Sequence, residues 1–254
     1  MRRLFVIAMG VFTTLLVPAS AMAITNGGPD GTGHPEVGEL LAPIAYSDGT
    51  WGVCSGTLIS STVFLTAAHC DQGLPRVNVT FDSTYTPGTS VTYTGTWHAD
   101  PAYNRSQSNP QDLAVVVFDT PVSGITAARL PEAGSLAGLA HGAAITSVGY
   151  GAQSVSVDKG HVYHYADVRY VATGSLNALT SSWLRNSMNP ATGDGGTCYG
   201  DSGGPNFLGA GTSATNILAA TTISGDATCR ATNVDYRLDR PSARAFLGQY
   251  VPLP

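Results

Sequence analysis

Residues 62–70 read TVFLTAAHC, a short apolar run that ends on a histidine and a cysteine. Similar runs, rich in Val, Ile, Thr and Tyr and separated by Gly, Pro, Asn, Asp and Ser, recur along the chain, whereas helical periodicity is nearly absent. Many short strands joined by turns indicate an all-β fold of the sandwich or barrel class. The runs predict strands over residues 41–46, 52–59, 62–67, 76–81, 90–97, 112–118, 143–149, 161–171, 205–208, 216–224 and 232–238.

The C-terminus is the exception to this pattern. Pro241 can occupy a first helical turn, Asp239 can cap it, and apolar residues then repeat every three or four positions at Ala243, Phe246, Leu247 and Tyr250. We therefore expect one short helix over residues 241–249, packed on the last part of the fold.

The composition excludes several classes of protein. The chain has 254 residues, of which 43% are hydrophobic, so a sizeable core is available and disorder is not expected. Charged residues make up only 11%, well below the usual quarter, and the net charge is −5. Since a nucleic-acid binder normally carries a basic stripe, we expect no nucleic-acid partner.

Residues 1–23 have the pattern of a secretory signal peptide. Two arginines precede an apolar run from Leu4 to Val17, and the segment ends on Ala21-Met22-Ala23. The alternative is a membrane anchor, but the run falls short of the ~20 residues that a spanning helix needs. We expect cleavage after Ala23 or after Ala21, a secreted protein of residues 24–254, and no membrane association once the signal is removed.

Export would place the four cysteines in an oxidising compartment, where they can pair. Four cysteines allow three connectivities. A metal site would need spaced Cys or His ligands, but His69 and Cys70 are adjacent. The sequence therefore predicts disulfides, and neither a metal nor another cofactor.

A serine in a glycine-rich hexapeptide is the first candidate for chemistry. Residues 200–205 read GDSGGP, and glycines on both sides of Ser202 let the backbone approach a substrate closely. Ser202 is a nucleophile if a base lies nearby. If none does, the hexapeptide is only a glycine-rich surface turn. All six histidines precede Ser202, which excludes the nucleophile elbow of α/β-hydrolases, where the histidine follows the serine.

Among the histidines, His69 has the most informative context, because it ends an apolar strand beside a cysteine. An aspartate must then orient its ring. Asp112 opens the apolar run DLAVVV, where a carboxylate is costly unless it has a donor. By spacing alone, Asp71, Asp82 and Asp100 remain rivals, and a solvated strand end remains the alternative for Asp112.

Together, residues 66–70 (TAAHC), 112–115 (DLAV) and 200–205 (GDSGGP) resemble the three signature segments of the trypsin/chymotrypsin-like serine proteases, in that family's order. Residues 54–59 (CSGTLI) resemble the strand that carries the partner cysteine, and residues 24–28 (ITNGG) resemble the mature N-terminus. The resemblance spans essentially the whole chain from Ile24 onwards. It implies two six-stranded antiparallel β-barrels, the first over about 24–130 and the second over about 131–254.

The resemblance also implies the roles of individual residues. Ser202 would attack the scissile carbonyl to form an acyl-enzyme, His69 would act as general base and acid, and Asp112 would orient His69. The backbone N–H groups of Gly200 and Ser202 would form the oxyanion hole. The implied disulfides are Cys54–Cys70 and Cys198–Cys229.

For substrate recognition, the resemblance places Gly196 at the floor of the primary pocket, with Thr197 and Gly225 also binding substrate. Because a glycine stands at the floor, an uncharged residue before the scissile bond is expected rather than Arg or Lys, unless Asp194 is displaced into the pocket. Either Ser224 or Ile223 takes the position whose residue usually supports the triad aspartate, here Asp112. Asn233 or its neighbours are expected to lie at the edge of the pocket.

Activation follows from the same resemblance: a free α-ammonium of Ile24 would pair with Asp201. The function predicted is a secreted, monomeric serine endopeptidase acting on protein or peptide substrates. The alternatives are a non-catalytic binding protein, although such proteins normally lose a triad residue, and an esterase on the same fold.

Overall fold

The computed structural model of the protein describes residues 23–157 and 159–254. The predicted signal peptide therefore lies outside the described residues, apart from Ala23. In chain order the strands β1–β15 are Gly28–Pro29, Val37–Leu41, Gly52–Ser60, Val63–Thr66, Arg76–Thr80, Thr92–Ala99, Ala114–Phe118, Ala144–Gly149, Ser154–Ser156, Val162–His164, Tyr170–Leu179, Trp183–Ser187, Pro205–Leu208, Leu218–Gly225 and Thr232–Arg237.

Helical structure is sparse in this part of the chain. A four-residue turn, α1, spans Ala23–Asn26, and a C-terminal helix, α2, spans Pro241–Leu247. Single 3₁₀ turns lie at Ala68–Cys70, Ser135–Gly138, Pro190–Thr192 and Gly211–Ser213. Neither described α-helix has the length and apolar character needed to cross a membrane.

Six strands close the first barrel, in the order β2-β3-β4-β7-β6-β5, and every pairing is antiparallel. Alternate residues of these strands point inward and are fully buried, among them Leu40, Leu58 and Phe64. Phe64 packs edge-to-face on Phe81 with ring centroids 5.9 Å apart. The apolar alternation that predicts these strands thus supplies the barrel interior.

The second barrel is built from β8, β11, β12, β15, β14 and β13. It closes because β8 bonds both to β13 and to β11. The predicted all-β architecture of two six-stranded antiparallel barrels with a short C-terminal helix is confirmed. Residues 28–29, which the sequence-based division assigns to the first barrel, pair with β11 of the second.

The predicted strand over residues 41–46 is wrong in position. The strand lies at Val37–Leu41, where all five residues are buried, while Ile44 and Tyr46 are exposed. Glu39 stands at its centre with a fully buried side chain. A buried charged residue at the centre of the strand hides it from a hydrophobicity pattern.

Two strands of the second barrel were missed in the same way. The single strand predicted over residues 161–171 is divided between β10 and the first two residues of β11, which continues to Leu179, and β12 was not predicted. Asn186 of β12 is buried, and its amide donates to Asp235 at 3.0 Å. The interior of this barrel holds a hydrogen-bonded polar cluster, so its strands lack a continuous apolar face.

The C-terminal helix lies where it was predicted and ends two residues earlier, at Leu247. Ala243, Phe246 and Leu247 are buried on one face. Asp239, however, does not cap it, because the N-cap residue is Arg240. The Asp239 carboxylate instead accepts from the Arg237 guanidinium at 2.8 Å and from the backbone N–H of Leu136.

A fully buried arginine ties the two barrels together. Arg169 precedes β11, and its guanidinium pairs with Asp30 at 2.8 Å. It also donates to the carbonyl oxygens of Val37 and Phe81 in the first barrel, at 3.1 and 3.0 Å. These bonds set the relative position of the barrels, and thus the shape of the cleft between them.

Candidate active site

His69 lies in the 3₁₀ turn that follows β4. A disulfide joins the next residue, Cys70, to Cys54 on β3. The Thr66 hydroxyl, at the end of β4, donates to the Ser55 carbonyl at 2.8 Å. The histidine is therefore held against the rim of the first barrel by a covalent bond on one side and by strand pairing on the other.

The carboxylate of Asp112 meets this histidine. Its Oδ1 accepts from the backbone N–H of His69 at 2.9 Å, and its Oδ2 accepts from the ring Nδ1 at 2.8 Å. Asp112 is almost fully buried and follows Gln111, whose φ is +51°. A ring that donates from Nδ1 to this carboxylate leaves Nε2 as the nitrogen that can accept a proton.

The rival aspartates have other partners. Asp71 accepts from the N–H of Gly73, Asp82 from that of Val91, and Asp100 from that of Ala102. Each bond closes a local loop. Of the four candidates, Asp112 is the one that the fold brings to His69.

Ser202 lies in a tight turn that is docked on the first barrel. Its carbonyl oxygen accepts from the Ser55 N–H at 2.9 Å, and the Ser55 hydroxyl donates to the Gly200 carbonyl at 3.1 Å. At Gly203, where φ is +81°, a Cβ would overlap the Thr66 hydroxyl and lie 2.8 Å from the Ala67 nitrogen. The glycine after the serine is what allows the two barrels to approach so closely.

Ser202 and His69 border one cleft of about 700 Å³ between the barrels. Within the part of the chain that the structure describes, no hydrogen bond joins the Ser202 hydroxyl to the His69 ring. Such bonds are often long in unliganded enzymes and shorten when substrate binds. The backbone N–H groups of Gly200 and Ser202 likewise have no acceptor among the described residues, and both belong to residues that line the cleft.

Asp201 points away from the cleft and is fully buried. Its carboxylate accepts from the N–H groups of Gly151 and Cys198, each at 2.8 Å. Burial raises the pKa of Asp201 to about 7, against the lowering effect of those two bonds. A buried carboxylate of this kind gains from a nearby cation.

Ile24, the expected partner of Asp201, is fully buried, and α1 contacts β8 and β11 of the second barrel. The next residue, Thr25, accepts from the N–H of Gly196 at 3.0 Å, and its hydroxyl donates to the Cys229 carbonyl. In the described chain the nitrogen of Ile24 is still a peptide nitrogen. The ammonium–carboxylate pair therefore stays a prediction.

Two of the three expected pocket residues border the cleft with Ser202, whereas Gly196 is not among the residues that line it. Thr197 and Gly225 line the cleft together with Ile223 and Ser224. A second disulfide, Cys198–Cys229, joins the two sides of this region. Both disulfide pairings are those implied by the resemblance.

Three other expectations about the pocket are answered by the geometry. Asp194 accepts from the hydroxyls of Ser175 and Thr192, at 2.9 and 3.0 Å, and is not among the residues that line the cleft.

Asn233 does not lie at the edge of the pocket. It is fully buried, and its amide donates to Asn206 at 3.3 Å. Within the described chain, neither Ser224 nor Ile223 donates a hydrogen bond to Asp112.

One group of side chains resembles a metal site in its proximity alone. Cys54, His69 and Cys70 bring ligand-type atoms within 4.8 Å of one another. Both sulfurs belong to the disulfide, however, and zinc binds thiolates. The donor set therefore does not fit a structural zinc site.

Sequence reasoning missed a second His–Asp pair. Nδ1 of His34 lies 2.6 Å from a carboxylate oxygen of Asp30. The same carboxylate forms the ion pair with the Arg169 guanidinium. The pair is not among the residues that line the cleft. The four-residue spacing of Asp30 and His34 was the available signal, but Arg169, which ties the pair to both barrels, is distant in sequence.

Two antiparallel barrels that meet at a cleft of this composition define the protein as a serine endopeptidase. The chain belongs to the trypsin family, since the family model described as Trypsin matches residues 33–240.

Individual relatives are moderately similar to the chain. Brachyurin of Leptuca pugilator is 31% identical over 192 residues, covering 73% of this chain and 84% of that protein. Trypsin, alkaline C, of Manduca sexta is 27% identical over 224 residues, covering 80% and 84%. Venom plasminogen activator LV-PA of Lachesis muta muta is 28% identical over 163 residues, covering 60% and 62%.

Proposed function

We propose that the protein is a secreted, monomeric endopeptidase that hydrolyses peptide bonds through an acyl-enzyme on Ser202. The observation that carries the proposal is the Asp112–His69 pair, which faces the same cleft as a serine flanked by glycines. Protein and peptide substrates follow from the family. We further propose that residues 1–23 form the signal peptide and residues 24–254 the protease domain.

In the acylation step, Nε2 of His69 takes the Ser202 proton as Oγ attacks the substrate carbonyl carbon. The imidazolium that forms is stabilised by Asp112, which keeps the proton on Nδ1. As the tetrahedral intermediate collapses, His69 delivers its proton to the leaving amine. A water molecule then attacks the acyl-enzyme carbonyl while His69 takes its proton. His69 returns the proton to Ser202 as the product acid is released.

Negative charge develops on the substrate oxygen during both steps. We assign the oxyanion hole to the N–H groups of Gly200 and Ser202, because both lack an acceptor within the described chain and belong to cleft-lining residues. Gly200 has a φ of +94°, and a Cβ there would lie 2.9 Å from the Gly151 Cα. A single donor of this type contributes about 3–4 kcal/mol to the transition state.

In this assignment no carboxylate stands at the floor of the primary pocket. Gly196 forms its floor, and Asp194 is engaged with Ser175 and Thr192. We therefore propose that the residue before the scissile bond is uncharged rather than Arg or Lys.

A fluorophosphonate reagent tests the nucleophile directly. The secreted protein should be labelled on Ser202, and Ser202→Ala should lose both labelling and peptide hydrolysis while keeping its fold. Ser224→Ala is the matched control, because Ser224 borders the same cleft and its loss should leave Ser202 labelled. Labelling that persists in Ser202→Ala would refute the assignment.

A further inference from the structure

The side chain of Met188 fills space next to the proposed primary pocket. Met188 directly follows β12, is fully buried, and donates its N–H to the Ala231 carbonyl at 3.0 Å. A Cβ at Gly196 would overlap the Cγ of Met188 and would lie 2.5 Å from its Sδ. The thioether therefore occupies the volume that a side chain at position 196 would take.

The far end of the same side chain reaches the opposite wall. Cε of Met188 lies 3.8 Å from the position that a Cβ at Gly225 would occupy. Gly225 lines the cleft with Ser202. Met188 thus reaches from Gly196 to Gly225. Met188 and Gly196 are not among the residues that line the cleft, so the thioether fills the space directly behind the wall that Gly225 contributes.

The acids around this space are occupied or covered. Asp226 lines the cleft. Burial raises its pKa, but its carboxylate accepts from Thr228 and from three backbone N–H groups of its own loop, and these bonds lower the pKa to about 2. Asp235 is fully buried and bonded by Asn186. The one of these two acids that lines the cleft is thus already bonded by its own loop, and the volume behind the pocket wall holds an apolar thioether rather than a carboxylate.

We propose that Met188 determines the substrate specificity of this enzyme by closing the base of the primary pocket, so that the residue before the scissile bond must be small and uncharged. The inference deepens the proposed function and rests on it. Close-packed apolar walls discriminate by size, and one additional methylene can change kcat/KM by about 10- to 200-fold. Alanine and valine fit a shortened pocket, whereas phenylalanine and arginine would require Met188 to move.

The test compares four peptide substrates that differ only in the residue before the scissile bond: alanine, valine, phenylalanine or arginine. Active enzyme is first counted by fluorophosphonate labelling of Ser202. The wild type should favour alanine over phenylalanine by roughly 100-fold or more in kcat/KM. Met188→Ala should raise the phenylalanine-to-alanine ratio by at least about 10-fold, because removing the thioether deepens the pocket.

Leu184→Ala is the matched control. Leu184 is fully buried on the preceding strand, in a separate apolar cluster, so its truncation also leaves a cavity in the second barrel. It should lower stability and leave the phenylalanine-to-alanine ratio unchanged. A change of that ratio in Leu184→Ala as large as in Met188→Ala would overturn the assignment.

The wild-type profile decides the matter even if Met188→Ala fails to fold. Labelled enzyme that cleaves after phenylalanine or arginine at least as well as after alanine overturns the role of Met188 and leaves Ser202 as the nucleophile. A folded Met188→Ala with an unchanged ratio also overturns it. Absence of labelling in the wild type overturns the proposed function as well.

Discussion

Both oxygens of Asp112 are bonded to one residue, His69: Oδ1 to the backbone N–H at 2.9 Å and Oδ2 to the ring Nδ1 at 2.8 Å. The first bond fixes the position of the main chain, and the second fixes the tautomer and rotation of the ring. A change at Asp112 that preserves its shape should therefore affect chemistry more than folding.

Asp112→Asn should lower kcat by about 10⁴, because an amide that donates to Nδ1 would hold the ring in the wrong tautomer. Steady-state kinetics on a peptide substrate measure the loss. The same change at Asp71, Asp82 or Asp100, which bond to their own loops, should cost far less. If one of these controls loses activity and Asp112→Asn does not, another carboxylate orients His69.

A methionine placed before Ile24 should leave the protein folded but reduce its activity by about 10² or more, the cost of a misplaced oxyanion donor. Such protein can be made in the cytosol and refolded oxidatively. With the extra residue attached, the nitrogen of Ile24 is a peptide nitrogen and cannot pair with Asp201 as an ammonium. Removal of the methionine by an aminopeptidase should therefore restore activity. Full activity with the methionine still attached would rule out this activation mechanism.

The same pair predicts an alkaline limit. The free α-amino group has an unperturbed pKa of about 7.7–8.0, and pairing with Asp201 should raise it in the folded state. The stabilisation is then complete below the unfolded value and is lost as pH rises through the folded one. Activity of the processed enzyme should fall reversibly in that alkaline range, which a pH–rate profile measures.

Glu39→Gln should stabilise the protein at neutral pH. Glu39 is fully buried beside Asp167, and burial together with that neighbouring acid holds its pKa well above the ordinary value. The contribution of Glu39 is therefore greatest below its unfolded pKa and is lost as pH rises. Glutamine keeps a donor for Asp167 without a charge, and the gain should be on the order of 1–3 kcal/mol.

Urea unfolding of Ser202→Ala protein, with and without Glu39→Gln, measures this gain without self-digestion. The difference should shrink as pH falls toward 4, because Glu39 is then increasingly protonated in the unfolded state as well. Glu132→Gln, at an exposed position, is the control and should leave the midpoint unchanged at both pH values. Destabilisation by Glu39→Gln at neutral pH would contradict the protonation assigned to Glu39.

Arg169→Met should destabilise the fold by about 3–5 kcal/mol, because it leaves Asp30 buried without its cation and frees two carbonyl acceptors of the first barrel. The urea midpoint on the Ser202→Ala background measures the loss. Arg185→Met, at an exposed position on β12, should change it by less than about 0.5 kcal/mol. Equal effects of the two substitutions would show that Arg169 does not join the barrels.

Local sequence was sufficient for the features that depend on short-range pattern. Alternating apolar residues predicted most strands of the first barrel, and the C-terminal repeat of Ala243, Phe246 and Leu247 predicted the helix. The glycine-flanked Ser202 and the strand-end His69 were identified for the same reason, because the residues that define each motif are adjacent in the sequence.

Tertiary structure decided what depends on residues distant in the chain. By spacing alone, Asp71, Asp82 and Asp100 remained rivals of Asp112, and the antiparallel pairing of β4 with β7 is what brings Asp112 to His69. β12 was missed because Asn186 points inward, which burial tolerates only when a partner such as Asp235 is present. Met188 could not be connected with Gly196 and Gly225 from sequence, because the loops that bring them together are closed by long-range hydrogen bonds and a disulfide rather than by local propensity.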